Sequence, residues 1–293
     1  MFKKMLIATD LSRSSDAVVQ CANGYKRLGV EQAVLCHALG LRHLEALKYT
    51  LIPKVEPRLA KQKRILEDQG LETTVEIPPD IPSEEINRVA EEKDVSLIVI
   101  SSHGKSIAQH LLFKYGSVAS EILHSHQRPL LLVRTQVLKD EQSEICVEAS
   151  CADFRGHVLY ATDFSDTAHW AFEYLEEVVR SGCDTVTLIH VQDSTRIGKH
   201  LEDKLEEFNR IDTESLEMLK SKLEEIGARQ VYIQLSYNHP TAEILKELSA
   251  KDYSLIIVGS QGCGFIKEIF LGSVSHNIAR ESKKSVLLVP TLR

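Results

Sequence analysis

One pattern of residues occurs twice in this chain, in the same order, and it limits the fold more than any other feature. Met5-Leu6-Ile7-Ala8-Thr9-Asp10-Leu11-Ser12 returns as Val158-Leu159-Tyr160-Ala161-Thr162-Asp163-Phe164-Ser165. Val34-Leu35-Cys36-His37-Ala38 returns as Thr187-Leu188-Ile189-His190-Val191, and Leu97-Ile98-Val99-Ile100-Ser101 as Leu255-Ile256-Ile257-Val258-Gly259. Gly116-Ser117-Val118 returns as Gly272-Ser273-Val274. The offset is 163 − 10 = 153 at the start and 272 − 116 = 156 near the end. Order kept at a near-constant offset means that a whole domain is duplicated. The chain therefore divides into residues 1–135 and 156–293, with the mixed, polar stretch 136–155 as a partly ordered linker.

Within each copy, short apolar runs alternate with amphipathic stretches. Continuous apolar strands suit a sheet buried on both faces. Strand–helix alternation builds right-handed βαβ units, so each copy is expected to be an α/β domain around a parallel sheet. In the second copy, strands are predicted near 157–162, 185–191, 230–235, 254–259 and 285–289. Helices are predicted near 166–181, 200–226, 240–250 and 273–281. The long one carries Leu201, Leu205, Phe208, Leu216, Leu219, Leu223 and Ile226 largely at helical spacing, which marks a core face. Pro82 and Pro240 suit first helical turns. In the first copy, Pro53 and Pro57 should bend or break the matching helix. The apolar strands Leu130–Arg134 and Ser285–Val289 close their copies and are expected at sheet edges, which need covering or pairing.

Chemistry concentrates after the fourth strand of the second copy. Gly259, Gly262 and then Gly272-Ser273 lie between a buried strand and a helix. Glycines let backbone approach an anion, and a helix N-terminus offers unbonded N–H groups with partial positive charge. Taken alone, Gly259 and Gly262 read equally as turn glycines or as phosphate-lining glycines, and the full spacing with Gly272-Ser273 favours phosphate. Ser273 combines helix capping with phosphate contact. Asp163 and Asp10 stand at strand ends, where open α/β sheets bind ligands. Ser12 and Ser165 read as helix caps, and His37 and His190 as packed or hydrogen-bonded histidines. No G-x-x-x-x-G-K-[ST] or G-x-G-x-x-G is present, which excludes P-loop and dinucleotide motifs. A receiver domain would need an acidic pair where only Asp163 stands, and no nucleophile–base–orienter set is visible.

Composition sets the remaining bounds. Net charge is −7 without a long basic block, which argues against a nucleic-acid binder. No apolar run reaches the roughly 20 residues of a bilayer span. The N-terminus has no signal-peptide pattern, and a cytoplasmic location is expected. The six cysteines (Cys21, Cys36, Cys146, Cys151, Cys183 and Cys263) form no C-x-x-C pair, and are read as reduced thiols rather than a disulfide framework. A regulatory Cys146–Cys151 disulfide and a redox role for Cys263, beside Gly262, are the lesser readings. His124 and His126 are two apart and make a poor metal pair; no metal ligands are assigned.

The spacing Gly259-x-x-Gly262, nine residues, Gly272-Ser273 resembles the G-2x-G-9x-G-[S/T] pattern of nucleotide-binding universal stress proteins. Thr162-Asp163 and Leu188–Val191 also resemble that family, and the likeness covers nearly the whole chain outside the linker. It implies two tandem doubly wound five-stranded parallel sheets of Rossmann-like type, paired through their terminal strands as an intramolecular pseudo-dimer, with a homodimer as a further option. It implies ATP or AMP as ligand, with Mg²⁺ or Mn²⁺ only alongside triphosphate. Gly259, Gly262, Gly272 and Ser273 would line the phosphates, with Val274 and Ser275 at the helix start. Asp163 would sit near ribose and adenine, Val191 would offer main-chain hydrogen bonds to the base, and Ala161, Thr162 and Val258 would flank them.

The first copy departs from this pattern. Ser101 replaces the first glycine, and eleven residues (105 to 115) separate Gly104 from Gly116 where the motif has nine. Asp10, Gly104, Gly116 and Ser117 would then form a weak or altered second site, or none. The resulting expectation is a stress-response regulatory protein with one good adenine-nucleotide site and no catalytic residues. A slow ATPase or autokinase using Ser273 or Ser275 is the enzymatic alternative, and a non-binding adaptor the third.

Overall fold

The computed structural model describes residues 1–41, 47–102, 117–139, 145–149, 153–197, 204–262 and 271–291. The chain forms two compact units, Met1–Asp153 and Phe154–Arg293. The first unit runs β1 (Lys4–Ala8), α1 (Arg13–Val19), α2 (Ala22–Arg27), β2 (Gln32–Cys36), α3 (Lys48–Asp68), β3 (Glu72–Glu76), α4 (Pro82–Glu92), β4 (Leu97–Ser101), α5 (Ser117–Ser125) and β5 (Leu130–Val133). A hairpin of β6 (Thr135–Lys139) and β7 (Ile145–Ala149) follows. The five main strands are parallel in the order β3-β2-β1-β4-β5.

The second unit repeats the plan with β8 (His157–Thr162), α6 (Asp166–Arg180), β9 (Thr185–Asp193), α7 (Ser194–Ile197), α8 (Leu205–Glu225), β10 (Gln230–Asn238), α9 (Pro240–Ala250), β11 (Leu255–Gly259), α10 (Ser273–Glu281) and β12 (Ser285–Val289). Its parallel order is β10-β9-β8-β11-β12. The apolar runs occupy the central strands because both faces are covered. Leu159 of β8 and Ile256 and Ile257 of β11 are fully buried. Helix α6 turns Ala168, Ala171, Phe172, Leu175 and Val178 inward, a stripe at helical spacing. Pro82 and Pro240 occupy the first turns of α4 and α9, where a missing N–H is harmless.

Two expectations are corrected. Pro53 and Pro57 lie inside α3, which nevertheless runs unbroken from Lys48 to Asp68. Both prolines face solvent, so water can hydrate the carbonyls they leave unbonded. The linker, expected to be partly ordered, supplies the antiparallel β6–β7 pair, Thr135 opposite Ala149 and Lys139 opposite Ile145. Finally, Cys21 is disulfide-bonded, so the reading of all six cysteines as reduced thiols fails there; Cys36 and Cys183 are free. Cys151 and Cys263 lie outside the described residues.

His126, just after α5, couples the first unit to pH. Its Nδ1–H donates to the Arg128 carbonyl at 3.0 Å, and among the described residues Nε2 is buried without a partner. Burial disfavours the imidazolium and pushes the pKa down to about 4. The unfolded chain takes up this proton near an ordinary histidine pKa of about 6.5. Between the two values the unfolded state binds more protons, so stability falls as pH falls. The expected loss from this group is about 2 kcal/mol between pH 7 and pH 5. Denaturant titrations of wild type and His126→Gln at both pH values test it: the variant should lose less on acidification.

Candidate functional site

Each copy ends its first strand in the same self-bonded turn. In the second copy Thr162 Oγ1 accepts from Phe164 N at 3.0 Å, and Asp163 Oδ1 accepts from Ser165 N at 3.1 Å and Ser165 Oγ at 2.6 Å. Ser165 Oγ in turn caps α6 through Ala168 N at 3.3 Å. In the first copy Thr9 Oγ1 accepts from Leu11 N, Asp10 Oδ1 from Ser12 N and Ser15 Oγ, and Ser12 Oγ from Ser15 N. Phe164 and Leu11 sit at φ 57 and φ 60. The left-handed region costs a residue with a side chain about 1 kcal/mol, and the surrounding side-chain acceptors hold the turn there. The two serines are helix caps as expected, and the aspartates are turn formers at their strand ends.

The glycine segment meets this turn. An added Cβ at Gly262 would lie 2.3 Å from Asp163 Oδ2, and one at Gly259 would lie 2.9 Å from Thr167 Cγ2 and 3.1 Å from the Thr167 carbonyl carbon. Gly259 is thus glycine because α6 crosses it closely, and Gly262 because the Asp163 carboxylate occupies the adjacent space. Gly272 differs. Its φ is −68°, and an added Cβ there would come no closer than 3.4 Å, to Ser260 O. Gly272 N donates to Ser260 O at 2.7 Å, which pins the return of the loop.

Helix α10 begins at this point with Gly272 as N-cap, no side-chain cap and no acidic residue in its first turn. Among the described residues the N–H groups of Ser273, Val274 and Ser275 have no acceptor, since the ladder opens with His276 N to Gly272 O. Ser275 Oγ donates to Gly259 O at 2.6 Å. That hydroxyl ties α10 to the end of β11, so Ser275 does not present a free hydroxyl as the enzymatic alternative required; Ser273 is exposed.

The far side of the crevice is made by β9. Strand β8 ends with Thr162 opposite His190, while β9 continues beside β10 to Asp193. Val191 to Asp193 therefore project past the neighbouring strand. His190 Nδ1–H donates to Thr162 O at 2.8 Å, as His37 Nδ1–H does to Thr9 O at 2.7 Å. Both histidines are held in place, as expected from the sequence. The His190 ring also lies against Phe164, with centroids 4.6 Å apart.

These elements enclose one cavity of about 550 Å³ at the carboxyl ends of β8, β9 and β11. It lies where the strand order reverses between β8 and β11, the place where open α/β sheets bind ligands. Ala161, Thr162, Asp163, Val191, Val258, Gly259, Gly262, Gly272, Ser273, Val274 and Ser275 all line it. His190, Gln192, Phe208, Asp212, Ile244 and Gln261 line it too and were not assigned to a site from the sequence. Asp212 was hidden in a helix read for its core face. Its position four residues after Phe208 and four before Leu216 places a charge on that apolar stripe, which was the available signal. In the first copy Asp10 stands at the matching strand end, while Gly104, Gly116 and the Ser117 side chain lie outside the described residues.

A doubly wound parallel domain present twice, with a crevice at the switch point of the second, defines the class. The chain belongs to the universal stress protein family, whose model matches residues 1–134 and 155–290. It is 33% identical over 151 residues to universal stress protein MJ0577 of Methanocaldococcus jannaschii, covering 45% of this chain and 93% of that one. It is 30% identical over 145 residues to YxiE of Bacillus subtilis, covering 45% and 97%. A universal stress protein structure from Archaeoglobus fulgidus matches over 99% of both chains, with a TM-score of 0.76 and 25% identity. Among the described residues no helix is long and apolar enough to cross a membrane.

Proposed function

We propose that the second unit binds an adenine nucleotide, ATP or AMP, and that the protein serves as a nucleotide-dependent stress-response regulator. The observation that carries this reading is the polarity of the cavity. At one end the unbonded N–H groups of Ser273, Val274 and Ser275 suit phosphate. Elsewhere in the cavity Ala161, Val191, Val258 and Ile244 form apolar walls, beside strand backbone of β9 that extends past β8. Asp163 lies between, in reach of a sugar. Mg²⁺ or Mn²⁺ would accompany triphosphate and be held mainly by phosphate oxygens and water. The first copy, with Ser101 and a longer loop, binds weakly, differently or not at all.

Mass spectrometry of nucleotide released from freshly purified protein tests the reading, with calorimetry against ATP and AMP. Gly272→Ala sharpens it. Among the described residues a Cβ there meets only ordinary contacts, the nearest Ser260 O at 3.4 Å, so the variant should melt like wild type. With phosphate against the helix start, that methyl group should lower affinity about tenfold. Unchanged affinity would remove the phosphate from this helix, and two equal sites in calorimetry would overturn the asymmetry between copies.

A further inference from the structure

We propose that Asp212 reads the base: its carboxylate accepts from the exocyclic amino group and so selects 6-aminopurine over 6-oxopurine nucleotides. This rests on the nucleotide reading above and goes beyond it, because no part of the glycine motif supplies the discrimination. Phosphate at α10 and sugar near Asp163 leave the base for the end of the cavity beside β9. Asp212 reaches that end from α8. Gln192 Nε2 donates to its Oδ2 at 2.7 Å, and His190 Nε2 lies 3.5 Å from the same oxygen. Both partners are β9 residues flanking Val191, whose backbone projects past β8.

The wall therefore presents an acceptor at this point. Oδ2 is engaged by Gln192, and Oδ1 has no hydrogen bond among the described residues, while the side chain keeps 18% exposure. Gln192 gives one of its two amide N–H groups to Asp212, and among the described residues its Oε1 is buried without a partner. The His190 Nδ1 proton is given to Thr162 O. A ligand edge facing Asp212 must bring a donor, because a carboxylate only accepts. A 6-amino group does so. A 6-oxo group would set a second acceptor against a partly buried carboxylate, which is unfavourable. Gln192 is the positioning residue: its amide fixes the rotamer of Asp212. The first copy has Val55 at the corresponding turn of α3, since Gly70 and Gly227 both follow these helices and 227 − 70 = 157 = 212 − 55.

Calorimetry with AMP, IMP, purine riboside monophosphate and 2′-deoxy-AMP tests this on the full chain, comparing wild type with Asp212→Asn. Wild type should bind AMP about tenfold or more tighter than IMP, and purine riboside monophosphate should also be weakened. Asp212→Asn, which can donate to a 6-oxo group, should narrow or invert the AMP-to-IMP ratio. The penalty for 2′-deoxy-AMP should be the same in both proteins. Because the readout is a ratio within one protein, a partly unfolded variant scales both ligands alike. Asp212→Glu, keeping the carboxylate, should retain the preference for AMP. An unchanged AMP-to-IMP ratio in Asp212→Asn overturns the assignment while the nucleotide site stands. A variant that loses 2′-deoxy discrimination instead makes Asp212 a ribose contact and overturns it equally. Wild type that binds none of the four refutes the nucleotide reading itself.

Discussion

Gly262→Leu is expected to lower AMP and ATP affinity by at least about 100-fold while leaving the melting temperature near that of wild type. The added Cβ would fall 2.3 Å from Asp163 Oδ2 and 3.5 Å from its Cγ, closer than unbonded atoms approach. The obstructing atom is the far end of a side chain, so the carboxylate swings away and the fold survives. That movement has two effects on the site. It pulls Asp163 from the place where a sugar would meet it, and it puts a branched side chain into a cavity wall made by glycine. Asp163→Ala separates them, since it removes the carboxylate without filling space and should cause the smaller loss. Loss of helix capping is a minor part, because Ser165 Oγ still reaches Ala168 N without Asp163. Calorimetry together with thermal melts makes the check. Full affinity in Gly262→Leu would mean that no ligand occupies the crevice beside Asp163.

The sequence made the scaffold legible because it was written twice. Strand ends such as Thr162-Asp163 and Leu255–Gly259 could be placed by matching copies, and α6, α9 and α10 by their apolar stripes. The motif residues could be placed as well, since glycines at fixed spacing mark backbone proximity. What stayed hidden depends on three-dimensional neighbours. Gly259 and Gly262 look alike in the sequence, yet one accommodates a helix and the other a carboxylate. Ser275 was read from its place at a helix start, whereas its hydroxyl faces back to Gly259 O. The prolines of α3 signalled a bend or break, and solvent exposure makes the break unnecessary. Asp212, on a separate helix, belongs to the cavity only because α8 lies over β9, which neither local spacing nor internal repetition reports.

Gly259→Leu should do the opposite of Gly262→Leu: it should destabilise the second unit first and affect binding only through the fold. Here the Cβ would lie 2.9 Å from Thr167 Cγ2, 3.1 Å from Thr167 C and 3.2 Å from Ala168 N. Two of those atoms are main chain in the first turn of α6. The helix has little freedom to retreat. Ser165 caps it, Tyr160 Oη donates to Ala168 O at 2.5 Å, and Thr167 Oγ1 shares a hydrogen bond with Thr291 Oγ1 at 2.7 Å. Moving α6 would also disturb Phe172 and Leu175, which are buried against the sheet. Overpacking of this kind costs about 3 kcal/mol, equivalent to a melting temperature lower by roughly 10 °C for a unit of this size. Gly259→Ala should lose less, since the missing branch leaves only the Cβ to be accommodated. Chemical denaturation followed by circular dichroism measures both. If Gly259→Leu melted like wild type yet lost nucleotide, this glycine would serve the ligand and not the helix. The first copy offers an internal comparison. Ser101 carries a Cβ at the matching strand end, and α1 stops at Val19, whereas α6 continues unbroken to Arg180. The strand that ends in glycine is the one that seats a long, continuous helix.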